Sequence, residues 1–511
     1  IRRPHHQLAR AGARMTGSVE LVDTTIRDGN QSLWGGTGLT TSDILAVAPV
    51  VDRVGFHALD FTSSTHLAIS VRYHHEDPWE RLRRAAAAMP KTMLTFLTTG
   101  TRFISWKPAS DELLAMAFRT VVTNGVRRFQ IMHPANDVAT LSALAGLARA
   151  AGAEEVVLAL TYSVSPVHDE AYFEQRIAEL AKCEHADRFY LKDPGGLLVP
   201  ARAARLVAML VAAAGGRPVE VHSHCTTSLA PLVYLEALRS GAQTLHTAVR
   251  PLALGTSQPS AEMTLANARA LGYSDRIDDL ALAEMSSYFG SLAAEKALPT
   301  GVMAEYDEAY YRHQLPGGMA STLRRQLEEM RRADLFDAAL EEVARVRAEL
   351  GYPIMVTPLS QFVVTQAVMN VVSVGGRYAT VPDEVVRLLL GQFGDPPAPP
   401  DPDVADLVLS SPRAAELREL EPLSLDGART RFGRRISDEE LLLRVTMPED
   451  QVEAMLAAAA TPTVIPVRPR HAPLVGLLRE LDRRPSTSFV SLRKGAEFIE
   501  WRRSEGHSNA R

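Results

Sequence analysis

The sequence predicts an α/β fold, a (β/α)8 barrel followed by a mostly helical C-terminal domain. Three observations carry that expectation. Short β-prone runs alternate with helical stretches rich in Ala, Leu, Arg and Glu, the order that gives parallel strands joined by crossover helices. Eight such runs fall within about 230 residues, which is the count and size of a closed barrel. No Gly-rich dinucleotide fingerprint follows the first strand, which disfavours a doubly wound sheet, the competing fold.

The expected strands are Val19–Asp23, His57–Phe61, Met93–Thr98, Arg128–Met132, Glu155–Thr161, Arg188–Lys192, Val219–Val221 running into His222, and Gln243–Thr247. Helical spacing fills the gaps, as in Asp77–Ala88 and Asp169–Lys182. After about Leu271 the strand signals fade, and long helical segments such as Ser321–Gly351 take over. The Pro-rich run Asp395–Asp403 reads as a stiff, extended loop. Helical patterns resume from Val404 to about Ala460. The remainder holds a Pro-rich stretch, a helix over Ala472–Arg484 and a strand pair, Thr487–Leu492 and Ala496–Trp501, turning at Lys494-Gly495. The boundaries this implies are a disordered extension over 1–14, a barrel domain over 15–275, a helical domain over 276–462 and a small extension over 463–511. Ile1–Arg14 is basic and lacks the apolar core of a signal peptide, so Met15 is the expected native start.

Composition narrows the function classes. The 511 residues are 46% hydrophobic and 23% charged, the balance of a soluble multi-domain protein with a large core. A formal charge of −5 points to no nucleic-acid or polyanion partner. Two cysteines, Cys183 and Cys225, exclude a disulfide scaffold and a Cys-rich metal site. No apolar run approaches the ~20 residues of a membrane span. A reducing, cytoplasmic setting is expected. Arginine outnumbers lysine heavily, with lysine only at 91, 107, 182, 192, 296 and 494. A lysine in an unusual place therefore stands out.

In a parallel barrel the C-terminal strand ends face the active site. The first strand ends at Asp23, and Arg27 and Gln31 follow. Asp23 is placed for a metal, and Arg27 and Gln31 for an oxyanion or carbonyl. The alternative is that Asp23 caps the turn and Arg27 pairs with Asp28. The seventh strand ends His222-Ser223-His224. Residues i and i+2 share a strand face, so both histidines point the same way and can share one divalent ion. The sixth strand ends in Lys192. A buried ammonium is costly unless paired or deprotonated. Two readings are open: a salt bridge to Asp193 or Asp23, or a neutral amine that takes up CO₂ to become an anionic carbamate ligand. An Asp/His/His/carbamate set suits Zn²⁺, Mn²⁺ or Co²⁺.

Several motifs then occur in order: residues 23–32 (Asp-Thr-Thr-Ile-Arg-Asp-Gly-Asn-Gln-Ser), Glu76–Leu82, Thr161–His168, Lys192-Asp193, His222–His224, Gly255–Ser260, Gln314–Gly318 and Val356–Gln361. Together they resemble the biotin-dependent carboxyltransferases, which include the carboxyltransferase part of pyruvate carboxylase, the oxaloacetate decarboxylase α subunit and the transcarboxylase 5S subunit. The resemblance implies a TIM-barrel enzyme with Asp23, His222, His224 and a carbamylated Lys192 as metal ligands. It implies Arg27 and Gln31 as residues of the 2-oxo-acid pocket. Thr357 is implied to relay a proton between substrate and biotin; read alone, Thr357-Pro358 opens a helix well, as a cap. No biotin-acceptor motif or biotin-carboxylating region is recognisable, and Lys494 reads as a hairpin-turn lysine. Biotin is therefore expected on a separate carrier protein, with a second carboxylating or carboxyl-donating subunit, and family members often form homodimers.

The chain departs from the family pattern at strand ends. The family's Leu-Arg-Gly after strand three, whose arginine binds the substrate carboxylate, is here Leu97-Thr98-Thr99-Gly100, with Arg102 following. Threonine cannot replace a bidentate clamp, so Arg102 and His133 are the candidates to serve that end of the pocket. Further departures are Thr62–Thr65, Met132-His133, Pro194 and His246, the last in place of an aspartate. The expectation is a retained metal site and a rebuilt substrate pocket. The alternative is a biotin-independent, metal-dependent decarboxylase or aldolase/lyase acting on a β-keto or β-hydroxy acid.

Overall fold

In the computed structural model, eight parallel strands close into a barrel in sequence order. They are β1 (Glu20–Asp23), β2 (Ala58–Ser63), β3 (Met93–Thr99), β4 (Arg128–Met132), β5 (Glu155–Thr161), β6 (Arg188–Asp193), β7 (Val219–Ser223) and β8 (Thr244–Thr247). Each expected strand is present, two with the predicted bounds and the rest shifted by one or two residues. The structure describes residues 17–100, 109–315, 319–419, 422–458, 477, 480–481, 484, 486–494 and 497–502. Ile1–Arg14, Arg102, the turn at 316–318 and most of the expected helix Ala472–Arg484 lie outside these.

The strands are legible because a parallel barrel buries both of their faces. β2, β4, β6 and β7 are buried at every position. Several helices between strands start on side-chain caps that satisfy their first N–H groups. Asp77 accepts from Trp79 N ahead of Pro78–Ala88, and Asp169 accepts from Tyr172 N ahead of Glu170–Leu180.

The helical region has two attachments. Residues from Leu315 to Leu417 build a core of their own around Val343, Val363 and Ala367. The helices Leu425–Phe432, Asp438–Thr446 and Glu449–Ala457 return to the outside of the barrel and share its core. A small apolar cluster joins Ile354 and Val356 to Leu97, Met132, Ala159 and Tyr190 of the barrel. Arg347 seats the helical region on the loop after β5, donating to Ser163 Oγ at 2.9 Å and to the Val164 carbonyl at 3.0 Å. The C-terminal unit begins at Thr463; its described part is an antiparallel pair, β9 (Phe489–Lys494) and β10 (Glu497–Arg502), with Lys494 opposite Glu497. No helix among the described residues is long and apolar enough to cross a membrane.

The lower barrel interior is ionic. Arg128 of β4 reaches Glu220 of β7 at 2.6 Å, a bond that must cross the interior because these strands are not neighbours. Arg128 and Arg188 both pair with Glu155, and Arg188 also reaches Glu20. Burial alone would raise the Glu155 carboxyl. Its bond with His57 and the charges of Arg128 and Arg188 instead bring it down to about 2. A depressed carboxylate pKa stabilises the fold above the unfolded value, here 4.5, and that stability is lost as pH falls through the folded value. Glu155→Gln is therefore expected to cost about 3 kcal/mol at pH 7. The gap to wild type should close as urea melts are repeated from pH 5 down to pH 2. A gap that does not change with pH would rule out the ionic origin.

Candidate active site

A cavity of about 610 Å³ opens at the C-terminal mouth of the barrel, lined by Arg27, Asp28, Gln31, Lys192, His224 and Thr357 among others. After β1 the chain makes one wide, π-type turn over Thr25–Gly29. The turn carries the Asp28 carboxylate to 3.3 Å from His222 Nε2 and 3.6 Å from His224 Nε2. Wide turns of this kind often mark functional positions.

This geometry corrects one expected ligand. Asp28, not Asp23, stands with the two histidines, and their ligand atoms all lie within 4.8 Å of one another. Side chains alternate along β1. Glu20 enters the interior network, so Asp23, three residues on, faces the other way. Asp23 instead accepts from Thr25 Oγ1 at 2.6 Å, the turn-capping role that was its alternative. Burial pushes Asp23 up to about 7 against those Thr25 bonds. Burial would also raise Asp28, but the Arg27 charge holds it well below the usual carboxylate range. Asp28 is thus an anion ready to bind a cation.

The histidines are oriented by their other nitrogens. His224 Nδ1 donates to the Thr256 carbonyl at 2.7 Å. A carbonyl only accepts, so the proton is on Nδ1 and Nε2 presents a lone pair. The Gln258 amide donates to that Nε2 at 3.0 Å, while its oxygen accepts from Thr24 Oγ1 at 2.7 Å. Two imidazole nitrogens and an anionic oxygen fit a divalent transition metal.

Lys192 lies beside His222 in the β6–β7 register. It is 3% exposed, and burial pushes its amine down to about 8 against the pull of Asp28. Asp193 is not its partner; that carboxylate accepts from Leu197 N and Leu198 N at 2.9 Å and from Ser223 Oγ.

Arg27 is gripped by Asp60, with Nε at 2.9 Å, and also pairs with Asp28 at 3.0 Å. Thr357 precedes the helix Leu359–Val372, whose N-cap is Pro358 with no side-chain cap bond. Thr357 therefore lines the cavity and does not cap that helix. His133 takes a different place from the expected one. Its Nδ1 accepts from Ala135 N and Asp137 N, turning the ring toward Gly394 and into a neighbouring cavity of about 270 Å³. Thr99 lines both cavities. Residue spacing assigns no role to Asp60, Glu220 or Gln258, and His246 stands out only as a departure from the family pattern. Asp60 carried a readable signal as a carboxylate inside an apolar strand run.

Residues 18–288 match the HMGL-like family model, and residues 310–478 match the conserved carboxylase domain. The chain is 36% identical over 394 residues to the B subunit of pyruvate carboxylase from Methanocaldococcus jannaschii, spanning 76% of this chain and 68% of that protein. It is 31% identical over 460 residues to the 2-oxoglutarate carboxylase large subunit of Hydrogenobacter thermophilus, spanning 88% and 69%. The carboxyl transferase domain of Rhizobium etli pyruvate carboxylase, solved with oxamate and biotin, matches with a TM-score of 0.76 at 25% identity, over 87% of this chain and 78% of that one. With the barrel and the helical region each matched and the site residues gathered at one mouth, the chain belongs to the biotin-dependent carboxyltransferase family of enzymes.

Proposed function

We propose that the chain is the metal-dependent carboxyltransferase subunit of a multi-chain complex, moving a carboxyl group between biotin on a separate carrier protein and a small 2-oxo acid. One observation carries this reading: Asp28, His224, Lys192, Arg27, Gln31 and Thr357 line a single cavity. The names of the relatives, each one part of a larger carboxylase, support a division of labour among chains.

Asp28, His222, His224 and a carbamylated Lys192 would hold a Zn²⁺, Mn²⁺ or Co²⁺ ion, which supplies positive charge against an oxyanion developing on the substrate. Biotin, brought by the carrier, supplies the carboxyl group or receives it. Carbamylation balances simply. The neutral Lys192 Nζ bonds to the carbon of CO₂, one C=O electron pair moves to oxygen, and one N–H proton leaves to solvent. The charge then fits. Asp28, Asp60 and the carbamate oppose Arg27 alone, leaving two net negative charges for one divalent ion.

Arg27 is pre-oriented by Asp60, so its remaining donors face the cavity at no further ordering cost. Gln31 adds neutral donors beside it. Thr357 Oγ1 can give its proton to one partner while taking a proton from the other. That exchange leaves the hydroxyl uncharged, which suits a site whose carboxylate and imidazoles would be taken up by the metal. The apolar cluster beneath it, with Val356 and Leu97, keeps water from the reacting carbons.

The acid end of the pocket is rebuilt in this reading. Thr99 lines the cavity, and no carboxylate clamp stands beside it among the described residues; in this reading pyruvate and oxaloacetate are not the preferred substrates. The test is steady-state kinetics on the metal-loaded protein with a panel of 2-oxo and 3-carboxy-2-oxo acids, with and without free biotin. Decarboxylation should require biotin, and Thr357→Ala should lower kcat roughly 10²-fold with KM little changed. Equal rates without biotin would establish the lyase alternative. Family-typical rates with oxaloacetate would refute the rebuilt pocket.

A further inference from the structure

His222 is held by a residue outside the ligand set, and the arrangement differs from that of His224. The outer nitrogen of His224 meets a backbone carbonyl. The outer nitrogen of His222, Nδ1, meets another imidazole, His246 Nδ1, at 3.3 Å. The far nitrogen of His246, Nε2, lies 2.8 Å from Glu220 Oε2. Glu220 also takes both of its oxygens to Arg128 Nη2, at 2.6 and 2.7 Å. His246, Glu220 and Arg128 are each fully buried.

The directions of these bonds follow from which groups can only accept. A carboxylate paired with an arginine only accepts, so the proton between His246 and Glu220 sits on His246 Nε2. A neutral His246 then presents a lone pair at Nδ1. A histidine that binds a metal through Nε2 must carry its own proton on Nδ1 and needs an acceptor for it. His246 Nδ1 is that acceptor. The His246 ring is itself fixed. It stacks on Tyr190, 5.4 Å between centroids and 14° from parallel, and the Tyr234 hydroxyl donates to its backbone carbonyl.

We propose that His246 is a positioning residue: it accepts the Nδ1 proton of His222, leaving the His222 Nε2 lone pair turned toward Asp28 and the metal position, and Glu220 with Arg128 fixes His246 in the tautomer this requires. The inference rests on reading Asp28, His222 and His224 as a metal centre. It adds a His–His–carboxylate relay that carries orientation from the ionic floor of the barrel to its mouth. A carboxylate placed directly on His222 would bring a further negative charge to the ion. The interposed imidazole supplies the acceptor without that charge.

The probe is Co²⁺ on the full chain. Its affinity is read by chelator competition and its coordination by the visible absorption spectrum. His246→Phe keeps the ring on Tyr190 and removes both nitrogens; it should weaken Co²⁺ binding roughly 10- to 100-fold and change the spectrum. His246→Asn returns an acceptor oxygen near the place of Nδ1 and should recover most of the loss, which a purely space-filling role would not allow. Unchanged affinity and spectrum in His246→Phe, or an Asn variant no better than Phe, overturns the inference while leaving the metal centre standing. Wild-type protein that binds no Co²⁺ overturns both. Should His246→Phe not fold, ¹⁵N-histidine NMR of the Zn²⁺-loaded wild type decides. An unprotonated Nδ1 on His246 and a protonated Nδ1 on His222 are expected, and a protonated His246 Nδ1 refutes the relay.

Discussion

Asp28→Asn is expected to weaken divalent-metal binding on the order of 10³-fold, while Asp23→Asn leaves it within about threefold of wild type; the first figure reflects the several kcal/mol that an anionic ligand and its metal exchange. The two aspartates sit in one motif, five residues apart, yet differ in both direction and charge. Asp28 projects from the turn onto the histidine nitrogens and is held ionised. Asp23 looks away from the barrel interior and is pushed up to about 7. Asparagine at 28 preserves shape, and Arg27 keeps its grip on Asp60, so the fold should survive and the loss should be confined to the ion. Asparagine at 23 can still accept from Thr25, so little changes. Metal content after dialysis against a graded chelator, with thermal melts as the folding control, separates the two. A variant at 23 that loses the ion while the variant at 28 keeps it would falsify the assignment.

The same pair shows where sequence reading succeeds and where it stops. The eight strands were legible because parallel strands buried on both faces read as short apolar runs between capped helices. The histidine pair was legible because an i, i+2 spacing on a strand fixes a common face. That alternation, carried back to β1, also separates Asp23 from the inward-facing Glu20. The turn that brings Asp28 back over the mouth follows no simple period, so its carboxylate was invisible to spacing. His133 departs from its expected place for a related reason. It follows β4 in a loop whose backbone N–H groups capture its ring, and no periodicity reports such a capture. The interior network of Arg128, Glu155, Arg188 and Glu220 leaves no trace in residue spacing either. Charged residues opening strands look like surface positions until closure of the barrel turns them inward on one another. Beyond residue 275 the composition announced helices, but not that residues 425–457 return to the barrel while 315–417 build a separate core.

Lys192→Ala is expected to abolish carboxyl transfer, on the order of 10³-fold or more in kcat, and to lower metal content in parallel. Alanine removes the atom that bonds CO₂, so both losses share one cause. Lys192→Arg sharpens the test. In a chain so rich in arginine, that substitution is the mildest by composition, yet a guanidinium is protonated at all accessible pH and forms no stable carbamate. It places a fixed cation where the ion needs an anion, and it should fare no better than alanine. The lysine is prepared for its reaction. Burial brings its amine down to about 8, so about a tenth is neutral at pH 7 and open to CO₂. Metal uptake by metal-free protein should therefore slow when CO₂ is purged and recover when bicarbonate is returned. Labelled bicarbonate should give a carbamate ¹³C resonance in wild type that is missing in Lys192→Ala. Unchanged metal content in the alanine variant, or an active arginine variant, refutes the carbamate and returns Lys192 to a simple buried cation in the field of Asp28.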